Sequence, residues 1–351
     1  MNDVQWGILT RVIEGKTVQP LPVAFIIDSP WLPGWCGVST LDYYTSEEVW
    51  FEANLKAIES FPDVIFLPGF WSEYGMCTEP SAFGCKCVWH ADSLGNPLPV
   101  MTDISAVGGL RRPNVKTDGL LPFVIQRLRH KQPAMEAAGH RIRFAVSRGP
   151  LNIASFLMGT TEFLLALKTD PDEAHRLLDL VSDFIVQWVE YQMECFPTIQ
   201  GILLLDDIIG FLGEEDFRQF VLPYFQRVYG HFDAQVNFLH NDTPGLLPAK
   251  YLRDMSVNLY NFSSDHSFDE IREAAGPEVT LLGNLPPRDV LAQGTPEGVR
   301  QAVDGSLRGV KEPSHLIYSC GGGMPPGVST ANIQACLEAV REASSTLSEE
   351  R

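Results

Sequence analysis

Two stretches, GILLLDD (201–207) and QVNFLHND (235–242), decide how this chain folds. Each is a short, almost unbroken apolar run that stops at acids or at a histidine. Runs of this kind suit parallel strands covered on both faces, where the alternation of a half-exposed strand is lost. Between them lies a segment with helical spacing that opens on Gly213, Glu214, Glu215 and Asp216, acids placed where the positive end of a helix favours them. Working outward, similar runs occur at 22–27, 63–67, 143–147, 256–260, 279–282 and 315–319, giving eight strands with 201–205 and 235–239. Helical patterns fill the gaps. After Asp170, Pro171, Asp172 and Glu173, the side chains of Leu177, Val181, Phe184 and Trp188 share one face. Thr295, Pro296 and Glu297 start another helix, and Ser329, Thr330 and Ala331 start the last, whose stripe runs through Ile333, Leu337 and Val340. Eight strand–helix units without a repeat or linker predict an α/β fold, a (β/α)8 TIM barrel spanning 1–351 as one domain. A doubly wound open sheet is the alternative, weakened because no glycine-rich dinucleotide turn follows the first strand. Residues 68–119, between the second and third strands, exceed an ordinary βα loop and are expected to form a lid or hairpin insertion over the barrel mouth.

The chain has 351 residues, with 26 basic and 44 acidic side chains and a formal charge of −18. Such a field repels phosphate backbones, which argues against nucleic acid as a partner. The densest basic stretch, Arg127 to Lys131, reads as one solvated helix face. No apolar run approaches the roughly 20 residues that span a bilayer, and the start MNDVQWGILTRVIEGK lacks the pattern of an export signal. Seven scattered cysteines do not form a disulfide framework, so a reducing cytoplasm is the expected location.

In a barrel of this kind the chemistry sits where the strands end. The predicted strands end in Asp28, in Arg148, in Asp206 and Asp207, in His240 and Asp242, in Asn261, in Asn284, and in Cys320 followed by three glycines. His240 and Asp242 are two apart, so in extended chain they project to the same side. With Cys320 they make three potential ligands and leave an open position, the arrangement of a catalytic zinc. Asp206 and Asp207 are candidate proton donors, although neighbours in a strand point oppositely and one of them can instead cap a helix. Trp31, with Trp35, Trp71 and Trp89, either lines an apolar pocket or covers the barrel end. Cys77, Cys85, Cys87 and His90 match no standard zinc module.

Several blocks in order, GPLNIASFLMG (149–159), EEDFRQFVLPYFQRV (214–228), FLHND (238–242), LLGNLPPRDVLAQGTPEGV (281–299) and CGGGMPPGVSTANIQA (320–335), make the chain resemble the uroporphyrinogen decarboxylase superfamily. The resemblance runs from about Arg143 to the C-terminus, with EPSAFGC (79–85) as an earlier piece. It implies a (β/α)8 barrel and one of two chemistries. The decarboxylases themselves hold a polycarboxylate tetrapyrrole with an N-terminal arginine-rich segment, whereas here no Lys or Arg occurs between Lys16 and Lys56. The other branch comprises corrinoid-dependent methyltransferases, whose zinc is held by a His-x-Cys…Cys pattern. His240 and Cys320 match that pattern, and Asp242 stands where it has cysteine, keeping the charge but offering a harder oxygen ligand.

The resemblance therefore implies a zinc-dependent methyltransferase that moves a methyl group between a small O- or N-methylated compound, or a thiol, and the cobalt of a corrinoid. Zinc is expected on His240, Asp242 and Cys320, and methylcobalamin on a separate corrinoid-binding protein. Asp207 and Asp206 are the expected catalytic acids, and Asp28, Asn284, Asn261 and Trp31 the expected substrate contacts. A cofactor-free decarboxylase or lyase and a non-catalytic binding barrel are the alternatives. The assembly state is open, a homodimer included.

Overall fold

The computed structural model describes residues 1–349. Strands β1 (Val23–Ile26), β2 (Val64–Leu67), β3 (Lys86–Val88), β4 (Asn96–Leu98), β5 (Phe144–Arg148), β6 (Gly201–Leu205), β7 (Val236–His240), β8 (Leu259–Asn261), β9 (Thr280–Leu285) and β10 (Leu316–Cys320) are separated by helices of varied length. β3 and β4 form a small antiparallel hairpin. The other eight form one parallel sheet in the order β2-β1-β10-β9-β8-β7-β6-β5. Ile65 of β2 and Phe144 of β5, at opposite ends of that order, lie in one apolar cluster with Ile26, Leu203, Phe238, Leu259, Leu282 and Ile317. Only a sheet curled upon itself brings those eight positions together, so the expected (β/α)8 barrel is the fold. Residues one step out of phase, such as Phe25, Leu204, Leu239 and Tyr318, face the helices and join the outer core.

All eight expected strands form, with shifted ends. β8 begins at Leu259 rather than at 256 because Ser256 sits at φ +62°, which breaks the extended chain; His315 at φ +53° likewise delays β10 to Leu316. An element outside those expectations is the helix Asp3–Ile13, started by a capping box between Asn2 and Gln5. Its Trp6, Leu9 and Val12 enter the barrel interior, Trp6 meeting Phe144 edge-on at 5.5 Å, and so close the end opposite the strand termini.

Among the described residues no backbone ladder joins β2 to β5. Buried peptide groups left there would each cost free energy, and side chains take the missing places. The carboxamide of buried Gln192, from the helix Pro171–Cys195, accepts from the Val146 N–H (3.0 Å) and donates to the Val146 carbonyl (3.1 Å), imitating a neighbouring strand. Glu79 accepts from the Arg148 N–H at 3.1 Å, and on the other lip Gln5 donates to the Val64 carbonyl at 3.0 Å.

The segment 68–119 contains the helix Thr78–Ala82, the β3–β4 hairpin and a 3-10 turn at Ile104–Gly109, followed by the helix Leu121–Ala137. That last helix corrects one sequence reading. Arg127 is not on a solvated face but buried, donating to the Tyr44 carbonyl and lying over the rings of Tyr74 (4.5 Å) and Trp50 (5.5 Å). The periodicity of the basic stretch hid this, because a guanidinium can be buried against aromatic faces as well as solvated. Among the described residues no single helix is long and apolar enough to cross a membrane.

Replacing Gln192 by Ala strands both peptide groups of Val146. The expected result is a loss of about 2–6 kcal/mol of unfolding free energy, from two unpaired buried groups at about 1–3 kcal/mol each, read from urea denaturation.

Candidate active site at the barrel mouth

The inward phase of each strand, carried past its end, selects the side chains that reach the mouth. Following Ala24 and Ile26 the next inward position is Asp28; following Phe144 and Val146 it is Arg148; following Phe238 it is His240. These three, with Asp207 and Asp242, line a cavity of about 500 Å3, in the size range of small-molecule sites. The expected lid contributes Asp92, Ser93 and Leu94, and Trp71, Met76, Met324, Pro325 and Pro326 supply apolar wall.

His240 is held through one ring nitrogen. Its Nδ1 donates to the Asn261 carboxamide oxygen (2.7 Å), whose own Nδ2 is tied to the carbonyls of Leu282 (2.8 Å) and Cys320 (3.2 Å). That chain fixes the tautomer and leaves the Nε2 lone pair facing Asp207 Oδ1 at 3.9 Å. Asp207 Oδ1 also accepts from the Asp242 N–H at 3.2 Å. Desolvation in the cavity raises the Asp207 carboxyl above its ordinary range; the imidazole of His240 opposes this and the Asp242 carboxylate adds to it. Asp242 itself fits against Gly322, which sits at φ +128° and whose missing Cβ would lie 2.7 Å from Asp242 Oδ2. Asp207, His240 and Asp242 each offer a ligand atom within 4.8 Å of the others, the one such group of His, Cys, Asp or Glu among the described residues.

The structure thus brings His240 and Asp242 together, with Asp207 beside them. Cys320 stays outside that group. It ends β10 on the outward phase, in the same cluster as Tyr318, with its thiol 3.1 Å from the Gly322 carbonyl and pushed up to about 12 by burial. Asp206 also points away from the cavity. Its Oδ2 accepts the N–H groups of Leu151 (2.9 Å) and Asn152 (3.1 Å), so it caps the helix Pro150–Met158 from a neighbouring strand, and burial pushes it up to about 8. Asn261 orients His240. Asn284 is buried and gives its Nδ2 to the His266 carbonyl at 2.7 Å. Trp31 is buried between strands and helices, donating to the Val328 carbonyl at 3.0 Å and stacked on Trp35 at 4.9 Å. In the segment 68–119, Cys77 and Cys85 are buried, Cys87 is half-buried and His90 is exposed; the Cys77 and Cys87 thiols are hydrogen-bonded to each other with Cys85 nearby, but the four do not bring ligand atoms within 4.8 Å of one another.

Sequence reasoning missed two buried members. Glu79 pairs with Arg148 at 2.9 Å, and Glu73 lies beside Asp28. Both lie in the segment 68–119, where no periodicity marks an inward face.

The sequence profile described as uroporphyrinogen decarboxylase (URO-D) matches residues 8–343. The chain belongs to this family. A methylated-thiol–coenzyme M methyltransferase of Methanosarcina mazei is 24% identical over 294 residues, 77% of this chain and 71% of that protein. A uroporphyrinogen decarboxylase of Xylella fastidiosa is 25% identical over 329 residues, 87% and 88% of the two chains. Among solved structures, a methyltransferase from Methanosarcina mazei superposes with a TM-score of 0.78 at 18% identity, covering 95% of this chain and 97% of that one, a likeness of fold.

An imidazole whose far nitrogen is already bonded and two facing carboxylates form a neutral site with one divalent cation, so the residues present fit a zinc ion.

Gly149 precedes the capped helix, and a Cβ there would lie 2.5 Å from Asp206 Oδ2. Gly149→Ala is therefore expected to displace the cap and lower stability by about 1–3 kcal/mol, measured by thermal and urea unfolding.

Proposed function

We propose that this chain is a zinc-dependent methyltransferase that moves a methyl group between a small O- or N-methylated compound and the cobalt of a corrinoid-binding protein. The observation that carries the reading is the convergence of Asp207, His240 and Asp242 on one point of the mouth cavity. The methyltransferase relative from Methanosarcina mazei supports the branch.

His240 Nε2, Asp242 and Asp207 would hold the zinc, with Asp207 taking the place that the sequence assigned to Cys320. Bound there, zinc supplies a Lewis acid that offsets the charge building on an oxygen or nitrogen as it loses its methyl group. Asn261 keeps the imidazole nitrogen turned to the cavity without rearrangement. Asp206, through the helix it caps, holds the chain at Asp207 in place. Trp71, Met76, Met324 and the two prolines form a wall suited to a methyl-bearing, largely apolar substrate and limit water around it. The corrinoid partner docks over the same opening, beside the lid residues Asp92 to Leu94. A thiol is a weaker candidate for the other substrate, because a set of one nitrogen and two oxygens is harder than one containing thiolates.

A cofactor-free decarboxylase is the second reading, favoured by the near-complete coverage of the Xylella fastidiosa decarboxylase. Against it stands the mouth's supply of cations. Arg148 is committed to Glu79 and to the Gly75 carbonyl at 2.6 Å, which leaves Arg288 to meet a polycarboxylate.

Metal analysis of purified protein separates the readings. About one zinc per chain is expected, lost in His240→Ala and in Asp207→Asn and retained in Cys320→Ser. Asn261→Ala should weaken zinc affinity by about 10–100-fold, as loss of an orienting partner does. Metal-free protein with measurable decarboxylation overturns the reading. Zinc lost in Cys320→Ser restores the sulfur to the ligand set.

A further inference from the structure

A second carboxylate pair stands across the mouth from the His240 group. β1 lies four places round the ring from β7, and Asp28, just past its end, lines the cavity. Beside it Glu73, past the end of β2, is only 2% exposed. The Tyr44 hydroxyl donates to Ser29 Oγ at 2.8 Å, which turns the Ser29 proton to Glu73, and the Gly75 N–H also points to that carboxylate. Glu73 Oε1 is buried with no donor among the described residues.

The charges around this pair do not balance. Asp28, Glu73 and Glu79 share the pocket with two guanidiniums. Arg148 is bonded to Glu79 and to the Gly75 carbonyl, and Arg127 gives one nitrogen to the Tyr44 carbonyl and lies over two ring faces, its Nε and Nη1 having no hydrogen-bond partner among the described residues. Tyr43, Tyr44 and Tyr74 are held neutral by burial, and the Cys77 thiol, close to Arg148, is raised by its hydrogen bond with Cys87 and by burial. One negative charge is in excess at a desolvated site, and a proton is the species that removes it. Burial first, and then the Glu73 charge, raise the Asp28 carboxyl well above its ordinary range, with Arg148 opposing; burial likewise raises Glu73.

We propose that Asp28 and Glu73 share one proton in the resting protein at neutral pH, and that Asp28 is the general acid that delivers it to the atom losing its methyl group. The proposal rests on the methyl-transfer reading. The carbon–oxygen or carbon–nitrogen bond breaks with its electron pair going to the heteroatom. The pair for the new bond to carbon comes from a cobalt(I) corrinoid, the nucleophile of that reading. The proton passes from the Asp28 carboxyl to the heteroatom, so that the demethylated product leaves as an alcohol or amine. Two carboxylates then remain, and their repulsion draws a proton back from solvent through the mouth. The two halves of the site divide the work: one side of the cavity holds the cation that polarises the leaving atom, and the other holds the acid that neutralises it.

Infrared spectra of the full chain without substrate, at neutral pH and compared in H2O and D2O, test the first half. A protonated-carboxyl band that disappears in both Asp28→Asn and Glu73→Gln is expected, separate from any band of Asp206. Kinetics with zinc-loaded protein and free cob(I)alamin test the second half. Asp28→Asn should lower kcat by about 10²–10⁴-fold with KM changed by less than about twofold. Glu73→Gln removes the like charge, so Asp28 ionises more readily and the alkaline limb of the kcat profile moves to lower pH by about one unit. Methyl transfer by wild-type protein whose pair is fully ionised overturns the acid assignment alone. A protonated pair without any methyl transfer overturns the assignment together with the reading it rests on.

Discussion

A parallel barrel buries both rims of its sheet, and every peptide group on a buried rim needs a partner. Among the described residues no backbone ladder joins the two rims, and the requirement is transferred to side chains. Gln192 stands in for a strand at Val146, and Glu79 accepts the N–H of Arg148. The second contact has consequences beyond the seam. Glu79 is a carboxylate, and buried as it is it fixes a guanidinium beside it. Arg148 in turn reaches the Gly75 carbonyl and shapes the turn that carries Glu73. A gap in backbone pairing thus places a chain of ionisable groups at the rim of the mouth, and Asp28 is the end that lines the cavity.

On the far side of the opening the same logic runs through amides rather than charges. Asn261 ties two neighbouring strand ends through its Nδ2 and spends its oxygen on His240. Asp206 reaches sideways to the start of the helix Pro150–Met158, and Asn241 donates to the Asp206 carbonyl at 2.8 Å. Both residues sit at strand ends, where a functional role is the first reading, yet each acts by holding a neighbour still. Buried polar groups that are fully bonded give rigidity, and rigidity at Asp207 and His240 is what a site with small tolerance needs.

The fold was legible in the sequence because unbroken apolar runs such as GILLL and VNFL can only be strands buried on both faces, and their ends were marked by acids and by His240. The ends blurred where Ser256 and His315 adopt left-handed backbone, a conformation that neither residue type announces. The site was half legible. His240 and Asp242 share a phase, and extended geometry alone pairs them. Cys320 was assigned inward on a motif, whereas Leu316, Tyr318 and Cys320 form the outward phase; with apolar residues on both faces of β10 the periodicity could not decide. Asp207 was recognised as an acid but not as the neighbour of His240, since that depends on how two adjacent strands align. Glu73, Glu79 and Gln192 were invisible, because their partners are peptide groups and side chains distant in the chain, brought near only by closure of the barrel.

The donor atoms gathered at the mouth are nitrogen and oxygen, and the thiol of Cys320 is turned to the outer layer. Peroxide attacks thiolates in proportion to their ionisation and access, converting them stepwise to oxyacids that no longer coordinate. Imidazole and carboxylate offer no such foothold. A donor set built this way offers peroxide no thiolate to attack, and its coordinating atoms stay intact through exposure to air.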